Sequence, residues 1–192
     1  MSAEPVPDWM LMRPPGGWTA DDLDLLPPEA PRCEVLDGVL IVMSPQRSFH
    51  ATVMWKLTAA LSEALPPGWR VEPEMTIRID KYNRPEPDLV VVYPGVDVDR
   101  DRTSYLSEQL ALVVEIQSPD SIERDRVIKP KKYARAKIPN YWLVDDVRGK
   151  STGHVFELNA RGNRYTEAAV ERFKLEVEQP FPFSLDLGRL YP

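Results

Sequence analysis

The chain has 192 residues, enough for one domain with a sizeable core. Its 24 Lys and Arg against 30 Asp and Glu give a formal charge of −6, which excludes a globally basic nucleic-acid coat but leaves room for a local basic patch. A hydrophobic fraction of 43% excludes a disordered chain, and no apolar run reaches the roughly 18 residues of a membrane span. The first residues carry Glu4, Asp8, Arg13 and several prolines, with no charged-then-apolar leader pattern, so a cytoplasmic location is expected. Cys33 is the one cysteine, and His50 and His154 are the two histidines. Disulfide scaffolds, thiolate zinc sites and multi-histidine metal centres are therefore excluded, and a metal here would be a hard cation held by carboxylates.

Taken in chain order, residues 1–17 collect Pro and Gly and read as a flexible arm, with 18–192 as a single domain. Thr19 is placed to cap a short helix over 20–26, stopped by Pro27 and Pro28. The runs 33–36 and 39–43 flank Asp37-Gly38, a hairpin signal. Helical spacing of Val53, Leu57 and Leu61 predicts a helix over 49–65, ended by Pro66-Pro67-Gly68. Strands follow at 69–79, 87–93 and 110–117. A basic helical segment reaches about Lys137, although Pro130 must either lie near its start or kink it. A strand over 140–145 precedes a strand meander at 154–158, 164–170 and 173–177. This order predicts an α/β layer with a mixed sheet.

Glu115 interrupts the apolar run Leu112-Val113-Val114-Glu115-Ile116. A buried carboxylate costs several kcal/mol unless it finds a cation. Asp88 stands at the mouth of the preceding strand. Asp88, Glu115 and the backbone carbonyl of Ile116 would form an oxygen cage suited to Mg²⁺ or Mn²⁺. The competing reading is a structural ion pair with a Lys or Arg of the next helix. That helix, 123–137, holds seven basic and two acidic residues, a local +5 in an acidic protein. Beside a carboxylate cluster such an element draws a phosphate backbone, whereas alone it is an ordinary solvated face. Asp125, Lys129 and Tyr133 are spaced i, i+4, i+8 and share one side.

The ordered set Glu34-Val35-Leu36-Asp37-Gly38, Met43-Ser44-Pro45, His50, Pro87-Asp88, Glu115-Ile116-Gln117-Ser118-Pro119, Asp125 to Tyr133-Ala134 and Ile138 to Asp145 resembles the Uma-two family. That bacterial family belongs to the PD-(D/E)XK, restriction-endonuclease-like superfamily, and the resemblance covers about residues 19–185. It implies a four-stranded mixed central sheet flanked by helices, with an added N-terminal hairpin and C-terminal strands. It implies a Mg²⁺-dependent nuclease-like site, from which the expected activity is an endonuclease that hydrolyses DNA phosphodiesters. Asp88 and Glu115 match the acidic metal ligands, and Gln117 stands where the wider superfamily has its lysine. Lys129 matches the family's helix lysine, and Glu34, His50 and Asp125 match positions near the site. Superfamily members often form homodimers.

His50 is either a general base or a polar group at a helix start. Cys33 lies beside Glu34 without a cationic neighbour, which raises its pKa and disfavours a nucleophilic role. Tyr141 and Trp142 either stack on bases or belong to the core. No Gly-rich phosphate loop is present, which argues against nucleotide hydrolysis. Two readings remain: a metal-dependent endonuclease, and a binding or regulatory module that kept the fold and lost the chemistry.

Overall fold

The computed structural model describes Trp9 and residues 14–191, so most of the expected arm lies outside the described residues. A six-stranded mixed sheet runs in the order β10-β9-β8-β7-β5-β3. Its strands are β3 (Arg70–Pro73), β5 (Leu89–Val92), β7 (Leu110–Ile116), β8 (Asn140–Asp146), β9 (Ser151–Leu158) and β10 (Tyr165–Glu171). Only β7 and β8 run parallel; the other neighbours are antiparallel. The central strands β5 and β7 are buried on both faces, which is why they read as continuous apolar runs.

One face carries Leu89, Val91, Leu112, Val114, Ile116, Trp142 and Val144. Against it packs α1 (Ser48–Ala64), whose Val53, Leu57 and Leu61 are fully buried at i, i+4, i+8. Phe181, Phe183, Leu187 and Leu190 of the C-terminal segment extend that core. The other face carries Val90, Val92, Val113, Tyr141 and Leu143, covered by Tyr133, Ile138, Ile77 and Tyr105. The mixed central sheet is the one the resemblance implied, and the added C-terminal strands β9 and β10 extend it at one edge to six strands.

The hairpin forms as β1 (Cys33–Leu36) and β2 (Val39–Val42), with Leu36 opposite Val39. Asp37 and Gly38 have φ of 50° and 73°, the left-handed pair a two-residue turn requires. Other expectations are corrected. The helix over 20–26 shrinks to one 3₁₀ turn, Asp22–Leu25, and Asp22 accepts hydrogen bonds from the Thr19 amide and hydroxyl, both at 2.7 Å. The strand over 69–79 breaks at Glu74, which has φ of 58°, so β4 (Thr76–Arg78) leaves the main sheet and pairs with β6 (Ser104–Leu106). The third strand of the expected meander leaves too: β11 (Lys174–Val177) pairs with β12 (Phe183–Asp186). The basic segment divides into a wide π-type turn, Arg124–Ile128, and α2 (Lys129–Arg135). Pro130 lacks an amide hydrogen, and it occupies the first turn of α2, where that donor is spare.

Candidate active site

Antiparallel β5 and β7 pair Leu89 with Val114, and one further step brings Asp88 alongside Glu115. Asp88 Oδ2 accepts the Ile116 amide at 2.5 Å, which holds the end of β7 against the start of β5. Asp88 Oδ1 lies 2.8 Å from His50 Nε2, so His50 in the first turn of α1 reaches the sheet instead of capping its own helix. Glu115 points to the α2 side of the sheet. Its Oε1 accepts from the Tyr133 hydroxyl at 2.7 Å, and Lys129 Nζ lies 3.0 Å from Oε1 and 3.1 Å from Oε2. The wide turn before α2 turns Lys129 inward, where 2% of the residue is exposed.

Two more acids join from elsewhere. Glu34 on β1 is fully buried, accepts the Glu86 amide at 3.1 Å, and stands 3.3 Å from Lys129 Nζ. Asp125 accepts the Ser121 hydroxyl through Oδ2, and its Oδ1 lies 3.8 Å from Lys129 Nζ. The Glu86 carbonyl accepts from the same amine at 3.2 Å. Arg124 Nε approaches Glu34 Oε1 at 3.7 Å. A cleft of about 70 Å³ opens here, bordered by His50, Asp88, Glu115, Ile116, Asp125 and Lys129. Arg32, Arg47 and Arg124 also line it.

Gln117 is not among the cleft residues. It shares the Glu115 face but lies beyond the end of β7, where its Oε1 accepts from Arg126 Nε at 2.5 Å, and Arg126 also pairs with Asp145. Cys33 is buried, and its thiol is pushed up to about 11 by burial and by the charge of Glu86. Tyr141 and Trp142 are core residues, each 1% exposed.

Burial by itself would neutralise Lys129, but the charges of Glu115, Glu34 and Asp125 reverse that and raise its pKa. Burial raises Glu115 well above the usual carboxylate range, with Asp125 and Asp88 adding to the rise and Lys129 opposing it. Burial likewise lifts Asp125 to about 6 against the pull of Lys129. Burial would lower His50, yet its bond to Asp88 and the charge there raise it. The cluster therefore holds a permanent ammonium and more carboxylates than it can ionise together.

The donor set suits a hard divalent cation: Asp88 and Glu115 carboxylates and the Ile116 carbonyl are oxygens bordering one cleft. Asp125 Oδ1 and His50 Nδ1 border the same cleft and are buried without a hydrogen-bond partner among the described residues. No group of three or more carboxylate, imidazole or thiol side chains is placed to hold a metal ion among the described residues, since Glu34 and Asp125 gather on Lys129 and His50 is bonded to Asp88. The residues present thus fit an ion held by two acids, a carbonyl and water.

Sequence spacing brought out Asp88, Glu115, Asp125, Lys129 and Tyr133. It missed the Glu86 carbonyl, Ser121 and Arg124 as contributors. Glu86 directly precedes Pro87-Asp88 and was within reach of the same motif, whereas Ser121 lies in a loop with no periodic signal.

The sheet order and the lysine-centred acid cluster at the ends of its central strands define a restriction-endonuclease-like α/β protein. The chain belongs to the Uma2 family, whose model is described as "putative restriction endonuclease" and matches residues 20–188. A crystal structure from Anabaena variabilis ATCC 29413, described as a "putative nuclease", is similar with a TM-score of 0.65 at 16% identity, over 90% of this chain and 96% of that one. At that identity the likeness is one of fold. Among proteins of curated function, none matches.

Proposed function

We propose that the protein is a divalent-metal-dependent endonuclease that hydrolyses DNA phosphodiester bonds. The observation that carries this reading is the buried Glu115 carboxylate facing the same cleft as Asp88, with the Lys129 amine 3.0 Å away. The family description supports nucleic acid as the substrate class. Asp88, Glu115 and the Ile116 carbonyl would hold Mg²⁺ or Mn²⁺, and such an ion supplies an activated water and charge neutralisation at phosphate.

The chain's own groups do the rest. Lys129 stays protonated, so it offsets negative charge developing on the phosphate and does not act as a base. Tyr133 and the Ile116 amide orient the two acids. Arg47 and Arg124 at the rim, more than Arg32, which is held by Glu74 and Glu86, would draw the anionic backbone toward an otherwise acidic site.

One observation favours the alternative, a module that keeps the fold without catalysis. Glu115 is already satisfied by Lys129 and Tyr133, and the superfamily's lysine position is held by Gln117, which faces Arg126. Mn²⁺ titration with plasmid nicking separates the two. The nuclease reading expects Mn²⁺ binding and nicking in the wild type, both lost in Asp88→Ala. A wild type that neither binds Mn²⁺ nor nicks DNA refutes it and leaves the binding module.

A further inference from the structure

A second cleft lies on the other side of the wide turn, with a volume of about 290 Å³. Its helical wall is Val127, Pro130 and Ala134; its sheet wall is Phe156 and Tyr165, with Tyr141 behind. The three rings form a ladder across β8, β9 and β10: Tyr141 stacks with Phe156 at 5.6 Å and 26°, and with Tyr165 at 5.7 Å and 29°. The hydroxyls are already engaged by backbone carbonyls, Tyr141 donating to Asp125 at 2.6 Å and Tyr165 to Ile138 at 2.9 Å. What remains between the walls is a slot lined by ring and aliphatic carbon.

Its rim is cationic. Arg126, Lys131 and Arg164 border the opening. Among the described residues, Lys131 and Arg164 have no carboxylate within ion-pair distance, while Arg126 is engaged by Asp145. The acid at the edge, Asp125, turns its carboxylate to Ser121 and Lys129. An apolar slot with aromatic walls and free cations at its mouth complements one flat ring system carrying a phosphate. The volume is just under the range of small-molecule pockets, about 300–1,000 Å³, which suits a single ring system.

We propose that this cleft receives one unstacked nucleotide of the strand on which the active site works, its base between Pro130 and the aromatic wall and its phosphate on Lys131 and Arg164. The inference rests on the nuclease reading for the source of that nucleotide. Asp125 borders both clefts, so a strand seated in the first passes within reach of the second. Base–aromatic stacking tolerates any base, so this contact contributes grip and no sequence preference.

The test uses the full chain and reads binding, not cleavage. A single-stranded oligonucleotide carrying 2-aminopurine, dAMP, deoxyadenosine and inorganic phosphate are titrated against the wild type, Val127→Trp, and Lys131→Ala combined with Arg164→Ala. Val127, Lys131 and Arg164 are exposed, so these substitutions remove no core contact, and the variants' unfolding midpoints are read on the same samples. The expectation is binding of the oligonucleotide with changed 2-aminopurine emission, and measurable binding of dAMP. Val127→Trp, which fills the slot, should abolish both signals. The double alanine variant should weaken both by about tenfold or more, since two cations assigned to the phosphate are lost together. Inorganic phosphate binding as well as dAMP, Val127→Trp binding like the wild type, or dAMP binding with no strand signal would each overturn the proposal. Mn²⁺ affinity, read on the same samples, separates this result from the nuclease reading: strand capture without Mn²⁺ binding or nicking sinks only the latter.

Discussion

Removing the Lys129 amine is the sharpest perturbation of this molecule. Lys129→Met keeps the length and apolar stem of the side chain but deletes an ammonium that touches Glu115, Glu34 and the Glu86 carbonyl at 3.0–3.3 Å. At 2% exposure, water cannot take its place. Breaking a buried ion pair from one side costs about 3–5 kcal/mol, because the abandoned carboxylates stay buried. Total stabilities are about 5–15 kcal/mol, so this is a large fraction. With a urea slope of about 2 kcal/mol per molar, the midpoint should fall by about 2 M.

The loss should also depend on pH, and its sign follows from proton uptake. Lys129 is the chief influence lowering Glu115 and Asp125, so without it both acids move further above their unfolded values. A folded state that holds protons more tightly than the unfolded one loses stability as pH rises. Asp125 already sits at about 6, so the deficit of the variant should be greatest at pH 8, shrink through pH 6, and be smallest near pH 4. Urea unfolding of both proteins at those three values measures it. Equal midpoints, or a deficit that grows toward acid, would show that Lys129 does not neutralise this cluster. If the variant folds at about pH 7.5, where the carboxylates can give up their protons to an entering cation, it should bind Mn²⁺ at least as well as the wild type, having lost a competing ammonium, and fail to nick DNA.

Two further substitutions probe the parts that hold the site. Tyr133→Phe leaves Glu115 Oε1 without its 2.7 Å donor and should cost about 1–3 kcal/mol in chemical unfolding, with Glu115 moving further up; an unchanged midpoint would mean that the hydroxyl is not bonded in solution. Gly38→Ala has room for its Cβ, the nearest atom being 3.6 Å away, but must adopt φ of 73°; thermal unfolding should show a loss of about 1–2 kcal/mol, and a neutral result would argue against the left-handed turn that sets the β1–β2 register.

Local patterns in the sequence were enough to fix the hairpin, α1 and the central strands. Asp37-Gly38 demands left-handed backbone, Val53, Leu57 and Leu61 demand one buried helical face, and the unbroken apolar run of β7 demands cover on both sides of a sheet. The conflict between that run and Glu115 marked the site, since a carboxylate there must meet a cation, and the i, i+4 spacing from Asp125 through Lys129 to Tyr133 marked the helix side facing it. Tertiary structure decided everything that depended on distant partners. Glu34 reaches the cluster only because β1 bridges to the segment before β5, through Val35 and Arg84, a contact between residues about fifty positions apart that no local period encodes. Residues 69–79 alternate like one strand, yet Glu74 turns the backbone so that its two halves serve different sheets. Gln117 has the spacing of a site residue, but β7 ends before it and Arg126 claims its side chain. Spacing along the chain sets which face a residue takes; which neighbours wait on that face is set by the packing of elements remote in sequence.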